Sequence, residues 1–278
     1  MNIAIIGLGL IGGSLARTIK LHTDHTVYGC DLSTETINQA KLFSAIDDEL
    51  DDDKLAQCDL TLVALYPQAI VDWVTANAGK IKKDSLVIDC GGVKQVIVEK
   101  LQAVAAHSGF RYIGGHPMAG REFSGFRYAR DDMFDHASMI LTPDGNESLE
   151  VMQFARDFFI DLGFRRVQFT TPLVHDEMIA YTSQLAHIVS SAYVKCPLAD
   201  KHRGFSAGSF ADMTRVARLN EQMWTELFFD NREALLPEVD GLVERLAAYR
   251  DALRDNDRDT MMALLKEGRE VKERLTEN

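Results

Sequence analysis

The sequence predicts an α/β fold with a doubly wound parallel sheet, followed by an all-helical region. Three observations carry this. Short apolar runs alternate with helical patterns through the first two-thirds of the chain, a glycine-rich turn separates the first run from the first helix, and no convincing strand follows Thr171-Pro172. The chain has 278 residues, 46% hydrophobic and 26% charged, which is enough apolar material for a core without staples.

The elements follow in order. Asn2–Ile6 is a short apolar run ending in glycine, and Leu10–Leu21 reads as a helix. Thr26–Cys30 is a second strand. Leu60–Leu65 is a third, with a helix from about Gln68, and Leu86–Asp89 is a fourth, with a helix near Lys94–Ala106. Arg111–Ile113, Ser138–Thr142 and Arg165–Phe169 read as further short strands, with the helix Glu147–Leu162 between the last two. Buried parallel strands are continuous apolar runs, and most of these are. The acidic run Asp47–Asp53 reads as a solvated loop. At Thr171-Pro172 the pattern changes: Thr is a good N-cap and Pro suits the first helical turn. Residues 173–195 form one long helical pattern, and residues 209–250 carry further helices. The tail from Asp255 is amphipathic, with Met261, Leu264, Leu265 and Leu275 at helical spacing. The expected domains are therefore residues 1–170 and 171–278.

Charge and cysteine usage narrow the function. Lys and Arg number 30 against 42 Asp and Glu, a formal net charge of −12, with no long basic block. Nucleic acid and anionic membranes are not expected partners. A small anionic substrate stays compatible, because a pocket needs only one or two well-placed cations. Cys30, Cys58, Cys90 and Cys196 are widely spaced and form no C-x-x-C pair, which reads as reduced thiols in the cytoplasm. No H-E-x-x-H motif or paired cysteines suggest a metal. The apolar opening lacks a basic flank and is interrupted by Gly7, Gly9, Gly12 and Gly13, so it is not read as a signal peptide. Nor does any uncharged run elsewhere approach the roughly 18 residues of a membrane span.

Gly7-Leu8-Gly9-Leu10-Ile11-Gly12 is a G-x-G-x-x-G sequence between a strand and a helix, the context that gives it physical meaning. Gly7 permits the tight turn, Gly9 lets the backbone approach a pyrophosphate, and Gly12 lets the helix pack close to the strand. The helix N-terminus at Leu10 and Ile11 offers free N–H groups and a positive dipole end to the phosphates. Asp31 ends the second strand, 19 residues past Gly12, where a carboxylate can accept hydrogen bonds from both ribose hydroxyls. It would repel the extra phosphate of NADP, and Leu32, Ser33 and Thr34 supply no cation to receive one. The first domain is thus expected to be a Rossmann-type dinucleotide-binding domain that takes NAD.

Gly114-Gly115-His116-Pro117-Met118-Ala119-Gly120 follows the Arg111–Ile113 strand, at the carboxyl edge where open α/β sheets bind ligands. His116 stands where a base would be expected, since an imidazole titrating near neutrality can accept a proton from a hydroxyl during oxidation.

Together with the opening Gly-Leu-Gly-Leu-Ile-Gly-Gly-Ser and a late Asp212-Met213-Thr214-Arg215, this segment resembles the prephenate dehydrogenase family, including its arogenate-using members. The resemblance runs from Met1 to about Leu246, and His-Pro-Met-Ala-Gly followed by Glu122 and Ser124-Gly125 is its most specific part. It implies NAD-dependent oxidative decarboxylation of prephenate to 4-hydroxyphenylpyruvate, on the way to tyrosine. His116 matches the family's catalytic histidine, which hydrogen-bonds the ring hydroxyl as hydride passes to the nicotinamide. His187 matches a second active-site histidine, and Arg215 the arginine that holds a substrate carboxylate. Glu122 matches a gate-like acidic residue near the pocket. An all-helical C-terminal dimerisation domain, intertwined in a homodimer, is also implied. The roles suit the substrate: a buried carboxylate needs a cation, and Arg offers bidentate geometry. From spacing alone, Arg215 reads more readily as a surface salt-bridging residue, and His187 likewise as a satisfied interhelical histidine. Gln184 and Ser191 share the face of His187, and that polar stripe fits either a pocket wall or a polar interface. Trp224 and Phe228 fit the helical core.

Two positions depart from the family. Gly92, in Asp89-Cys90-Gly91-Gly92-Val93-Lys94, stands where members often have a serine that hydrogen-bonds the catalytic histidine, so a water or another side chain is expected to orient His116. Arg121 replaces a small hydroxyl residue and brings an extra cation that could bind a carboxylate or pair with Glu122. No appended regulatory domain is expected after the helices, so tyrosine inhibition would act at the active site. Arogenate dehydrogenase is the neighbouring reading, distinguished by recognition of an ammonium in place of a keto oxygen. A non-catalytic NAD sensor is the alternative of a different class, and it predicts no dependence on His116.

Overall fold

The computed structural model describes residues 1–121 and 123–276. The chain starts with β1 (Asn2–Ile6), α1 (Leu10–His22), β2 (Thr26–Cys30), α2 (Thr34–Leu42), β3 (Asp48–Glu49), α3 (Asp52–Leu55) and β4 (Leu60–Val63). Next come α4 (Pro67–Asn77), β5 (Leu86–Asp89), α5 (Gln95–Ser108), β6 (Arg111–Pro117), β7 (Ser138–Thr142), α6 (Leu149–Asp161) and β8 (Arg166–Phe169). The remainder is helical among the described residues: α7 (Pro172–Ile179), α8 (Leu185–Tyr193), α9 (Gly208–Thr214), α10 (Glu221–Asp230), α11 (Arg232–Arg254) and α12 (Arg258–Thr276).

The eight strands form one sheet in the order β3-β2-β1-β4-β5-β6-β7-β8. From β3 to β6 every pairing is parallel. Alternate residues of β1 feed opposite faces. Ile3 and Ile5 join the core under α1 and α6, while Ala4 and Ile6 join the core under α4 and α5. Both faces are buried, which is why the strands are apolar without alternation. Each fully buried Ile or Leu contributes about 1.5–3 kcal/mol. The order reverses between β1 and β4, and that opens the ligand crevice beside the glycine-rich turn.

Three sequence expectations change. Asp48–Glu49, inside the acidic run, is a short edge strand paired with Tyr28 and Gly29 rather than solvated loop. Its charge is neutralised by Lys20 on Asp47 (2.9 Å) and by Lys41 (2.7 Å) and Lys54 (2.8 Å) on Asp48. The strand at Arg111 continues to Pro117. Its first half pairs with β5, and Gly114–Pro117 pairs antiparallel with Thr142–Met139 of β7. Gly and Pro disfavour a strand locally, but the long-range pairing overrides them. The helical pattern of 173–195 is broken by a π turn at Ala180–Gln184 between α7 and α8.

The chain divides into two compact units, Met1–Asn231 and Arg232–Asn278. Helices α7 to α10 thus group with the sheet. The second unit is the α11–α12 pair, in which Val243, Leu246, Leu253, Met262, Leu265 and Leu275 are exposed. No helix among the described residues is long and apolar enough to cross a membrane. The four cysteines are free thiols.

Candidate active site

The glycine-rich turn has the expected geometry. Gly7 lies at φ +84°, where an added Cβ would stand 2.6 Å from the Ala64 carbonyl oxygen. A Cβ on Gly12 would stand 1.8 Å from the Gly7 carbonyl oxygen, so only glycine lets α1 start this close to the turn. A Cβ on Gly9 meets no described atom within 4 Å, which leaves open space over the start of α1. Gly9 is the N-cap and offers no side-chain acceptor, so the first N–H groups, at Leu10 and Ile11, have no intrahelical partner. Asp31 is half-buried. Its Oδ2 accepts from Leu8 N (2.9 Å) and its Oδ1 from Ser33 N (2.9 Å), so each oxygen keeps a lone pair for a ribose hydroxyl. Free N–H groups, an uncrowded approach and a fixed carboxylate fit a dinucleotide with an unmodified ribose.

His116 projects from the upper half of β6. Its Nδ1 lies 2.9 Å from His175 Nε2 on α7, and the rings meet edge to face with centroids 5.1 Å apart. His175 Nδ1 in turn lies 2.7 Å from Asp176 Oδ1. Both Asp176 oxygens also accept from the start of α5: Oδ1 from Lys94 N (2.8 Å) and Oδ2 from Gln95 N (2.9 Å). Asp176 thus caps a helix other than its own. His175 and Asp176 are fully buried, whereas His116 keeps a partly exposed edge. Burial, with His175 and the Lys94 ammonium beside it, holds the His116 pKa well below the ordinary imidazole value. Burial also lowers that of His175, against the raising effect of Asp176.

Behind His116 lies a buried ion pair. Lys94 and Asp89 are both fully buried, and the Lys94 ammonium donates to Asp89 Oδ1 and to the Gly115 carbonyl (2.6 Å). Asp89 also accepts from Tyr112 OH (2.7 Å), Gly91 N (2.8 Å) and Gly115 N (3.3 Å). Burial and the Asp89 charge push the Tyr112 hydroxyl well above its usual pKa, so it stays a donor. A Cβ on Gly115 would stand 2.4 Å from the Asp89 carbonyl oxygen, so the glycine before His116 is what brings β6 against this pair.

The second histidine belongs to the helical side. His187 Nδ1 donates to the Ser183 carbonyl (2.8 Å), and its ring lies on Trp224 with centroids 3.9 Å apart. Its pKa is lowered by burial, and Arg215, the exposed residue that follows α9, adds to the lowering, so the two are electrostatic neighbours. Gln184 is not a pocket wall. Its Oε1 accepts from Asn231 (2.8 Å) and its Nε2 donates to the Leu227 carbonyl (2.8 Å), and Asn231 also donates to the Asp176 carbonyl (2.9 Å). At Gly92 a Cβ would stand 3.1 Å from Leu227, so that side chain would have to shift to admit a serine. Arg121 is exposed and within electrostatic reach of Asp132. Glu122 lies outside the described residues.

Residues 15–168 match the prephenate dehydrogenase nucleotide-binding domain, and residues 171–267 match the prephenate dehydrogenase dimerization domain. The chain belongs to the prephenate dehydrogenase family. A cyclohexadienyl dehydrogenase of Zymomonas mobilis is 32% identical over 281 residues, covering 98% of this chain and 94% of the relative. A prephenate dehydrogenase of Bacillus subtilis is 27% identical, covering 99% of this chain and 76% of its own length. Among solved structures, prephenate dehydrogenase from A. aeolicus in complex with hydroxyphenyl propionate and NAD+ aligns at TM-score 0.84 and 26% identity, covering 100% of this chain and 98% of that one. As a member of the prephenate dehydrogenase family the chain is an NAD-dependent oxidoreductase. The sequence singled out the glycine turn, Asp31 and His116, but not the buried contacts of Asp89, Lys94, His175 and Asp176, and it assigned Trp224 to the helical core whereas its ring lies on His187.

Proposed function

We propose that this chain oxidatively decarboxylates prephenate to 4-hydroxyphenylpyruvate with NAD in tyrosine biosynthesis, using His116 as the base. One observation carries the assignment of the base: a partly accessible imidazole at the carboxyl edge of the sheet, with Nδ1 occupied by His175 and a pKa held low enough to keep it neutral. Its Nε2 takes the proton of the ring hydroxyl as the carbon becomes a carbonyl. Gly7, Gly9, Gly12, the N–H groups of Leu10 and Ile11, and Asp31 hold the dinucleotide. NAD, when bound, supplies the hydride acceptor. Arg215 holds a substrate carboxylate, with His187 and Glu122 beside the substrate and Arg121 as a further cation near it. Residues 1–170 act as the nucleotide-binding domain and 171–278 as the helical dimerisation domain of a cytoplasmic homodimer. The exposed apolar side chains of α11 and α12 support the dimer.

The test is NADH formation with prephenate and with L-arogenate in parallel. Prephenate is expected to turn over. The cyclohexadienyl dehydrogenase named above gives reason to run arogenate beside it as a second substrate. His116→Asn should lower turnover by about two to four orders of magnitude with little change in substrate binding. Arg215→Ala should chiefly raise KM. Near-wild-type turnover by His116→Asn would remove His116 from the chemistry.

A further inference from the structure

We infer that His175 and Asp176 are positioning residues that fix His116 in the tautomer with its lone pair on Nε2. The inference deepens the reading of His116 as base and rests on it. The argument runs through donors and acceptors. Asp176 receives the N–H groups of Lys94 and Gln95, so its oxygens face donors on the α5 side. The same Oδ1 lies 2.7 Å from His175 Nδ1, which therefore carries a proton and donates it. A neutral imidazole protonated on Nδ1 has only a lone pair on Nε2. The 2.9 Å contact from that atom to His116 Nδ1 then requires the proton to be on His116. His116 Nε2 is left unprotonated, as a base must be.

Burial makes the string one-directional. His175 is 1% exposed and Asp176 0%, so water cannot offer either residue an alternative partner. Asn231 donates to the Asp176 main-chain carbonyl and ties the middle of α7 to the end of α10. When His116 takes a proton, the lone pair of His175 faces the new imidazolium, with the Asp176 carboxylate behind it. The Lys94 ammonium that also faces this region is matched by Asp89. The arrangement supplies through His175 the orienting contact to His116 Nδ1, with Gly92 in place of the family's serine.

The experiment compares wild type, His175→Leu, His175→Gln and His116→Asn. A glutamine carbonyl can accept from His116 Nδ1–H, whereas leucine cannot. His175→Leu should lower kcat about 10²–10³-fold with KM for prephenate and NAD within about threefold of wild type. His175→Gln should recover to within about tenfold of wild type. Nitrogen-15 NMR of the imidazoles in the wild-type dimer should show His116 protonated on Nδ1, a readout that needs no turnover and no variant. Thermal unfolding and NAD titration establish that each variant is folded. The inference is overturned if His116 is protonated on Nε2, if His175→Leu turns over within threefold of wild type, or if glutamine is as slow as leucine. If His116→Asn also turns over normally, the base assignment fails. If His116→Asn is inactive while His175→Leu is not, only the positioning role fails.

Discussion

Replacing Lys94 with methionine would leave the Asp89 carboxylate buried without its cation. Methionine matches the length of the aliphatic stem, so packing is largely kept and the change isolates the charge. Asp89 would keep the Tyr112 hydroxyl and two backbone N–H groups, which solvate a carboxylate but do not neutralise it. Breaking a buried ion pair from one side costs about 3–5 kcal/mol. The Gly115 carbonyl also loses its donor. For a unit of this size each kcal/mol moves Tm by roughly 2–4 °C, so a fall of about 10 °C is expected. The double variant Asp89→Asn/Lys94→Met removes both charges and should regain at least half of that fall, because the uncompensated charge is gone. The assay is calorimetric unfolding at pH 7 and equal protein concentration, since a dimer's Tm depends on concentration. A single variant within about 1 kcal/mol of wild type, or a double variant no better than the single, would refute the claim that this pair compensates a buried charge.

Other expectations follow from the same geometry. Asp31→Asn keeps the shape but weakens the ribose contacts, and should raise the NAD Kd roughly fivefold to tenfold, about 1–1.5 kcal/mol, while narrowing the preference over NADP. Titration with both dinucleotides reads this, and an unchanged ratio would contradict the role of Asp31. The low pKa of His116 sets the sign of the pH dependence. The groups around it are His175, Asp176, Lys94 and Asp89, and its neutral form, the one the proposed base role requires, predominates above the folded pKa. Activity should therefore be lost only as pH falls below the ordinary imidazole range of about 6.5. A kcat/KM profile whose acid limb lies at or above that range would exclude His116 as its origin.

How much of this was legible in the sequence depends on the range of the interaction. The glycine turn and Asp31 act through spacing along one βαβ unit, and reading along the chain recovers them. His116 was visible as a residue type, but its place on a strand was not. Gly114, Gly115 and Pro117 argue for a loop, and only the partner strand β7 decides otherwise. The reversal of β7 did leave a trace: the stretch from Met118 to Ala137 has no helical pattern, and a parallel crossover would ordinarily carry a helix. Lys94 and Asp89 look like an ordinary surface pair, because burial of both is a property of the assembled sheet. Asp176 is the fifth residue of α7, past its first turn, and its partners Lys94 N and Gln95 N are about eighty positions away in the sequence, so nothing local shows that it caps α5. The polar stripe of Gln184, His187 and Ser191 left pocket and interface open, and the Asn231 and Leu227 contacts place Gln184 itself in a buried interhelical interface.

The extension of β6 beyond β5 has a further consequence for how substrate range can change. A proton acceptor held in a paired strand has little conformational entropy left to lose when a ligand arrives, so its placement is nearly independent of what binds. The chain leaves β6 at Pro117 and enters β7 beside it, with Met118 N bonded to the Ser138 carbonyl. The connecting residues, Arg121 among them, therefore begin and end on the working edge of the sheet. If His116 is the base, as proposed, insertions and substitutions in that connection would leave it where it is while changing the surface beside it. On the proposed reading of His116, chemistry and selectivity would fall to separate stretches of one continuous segment.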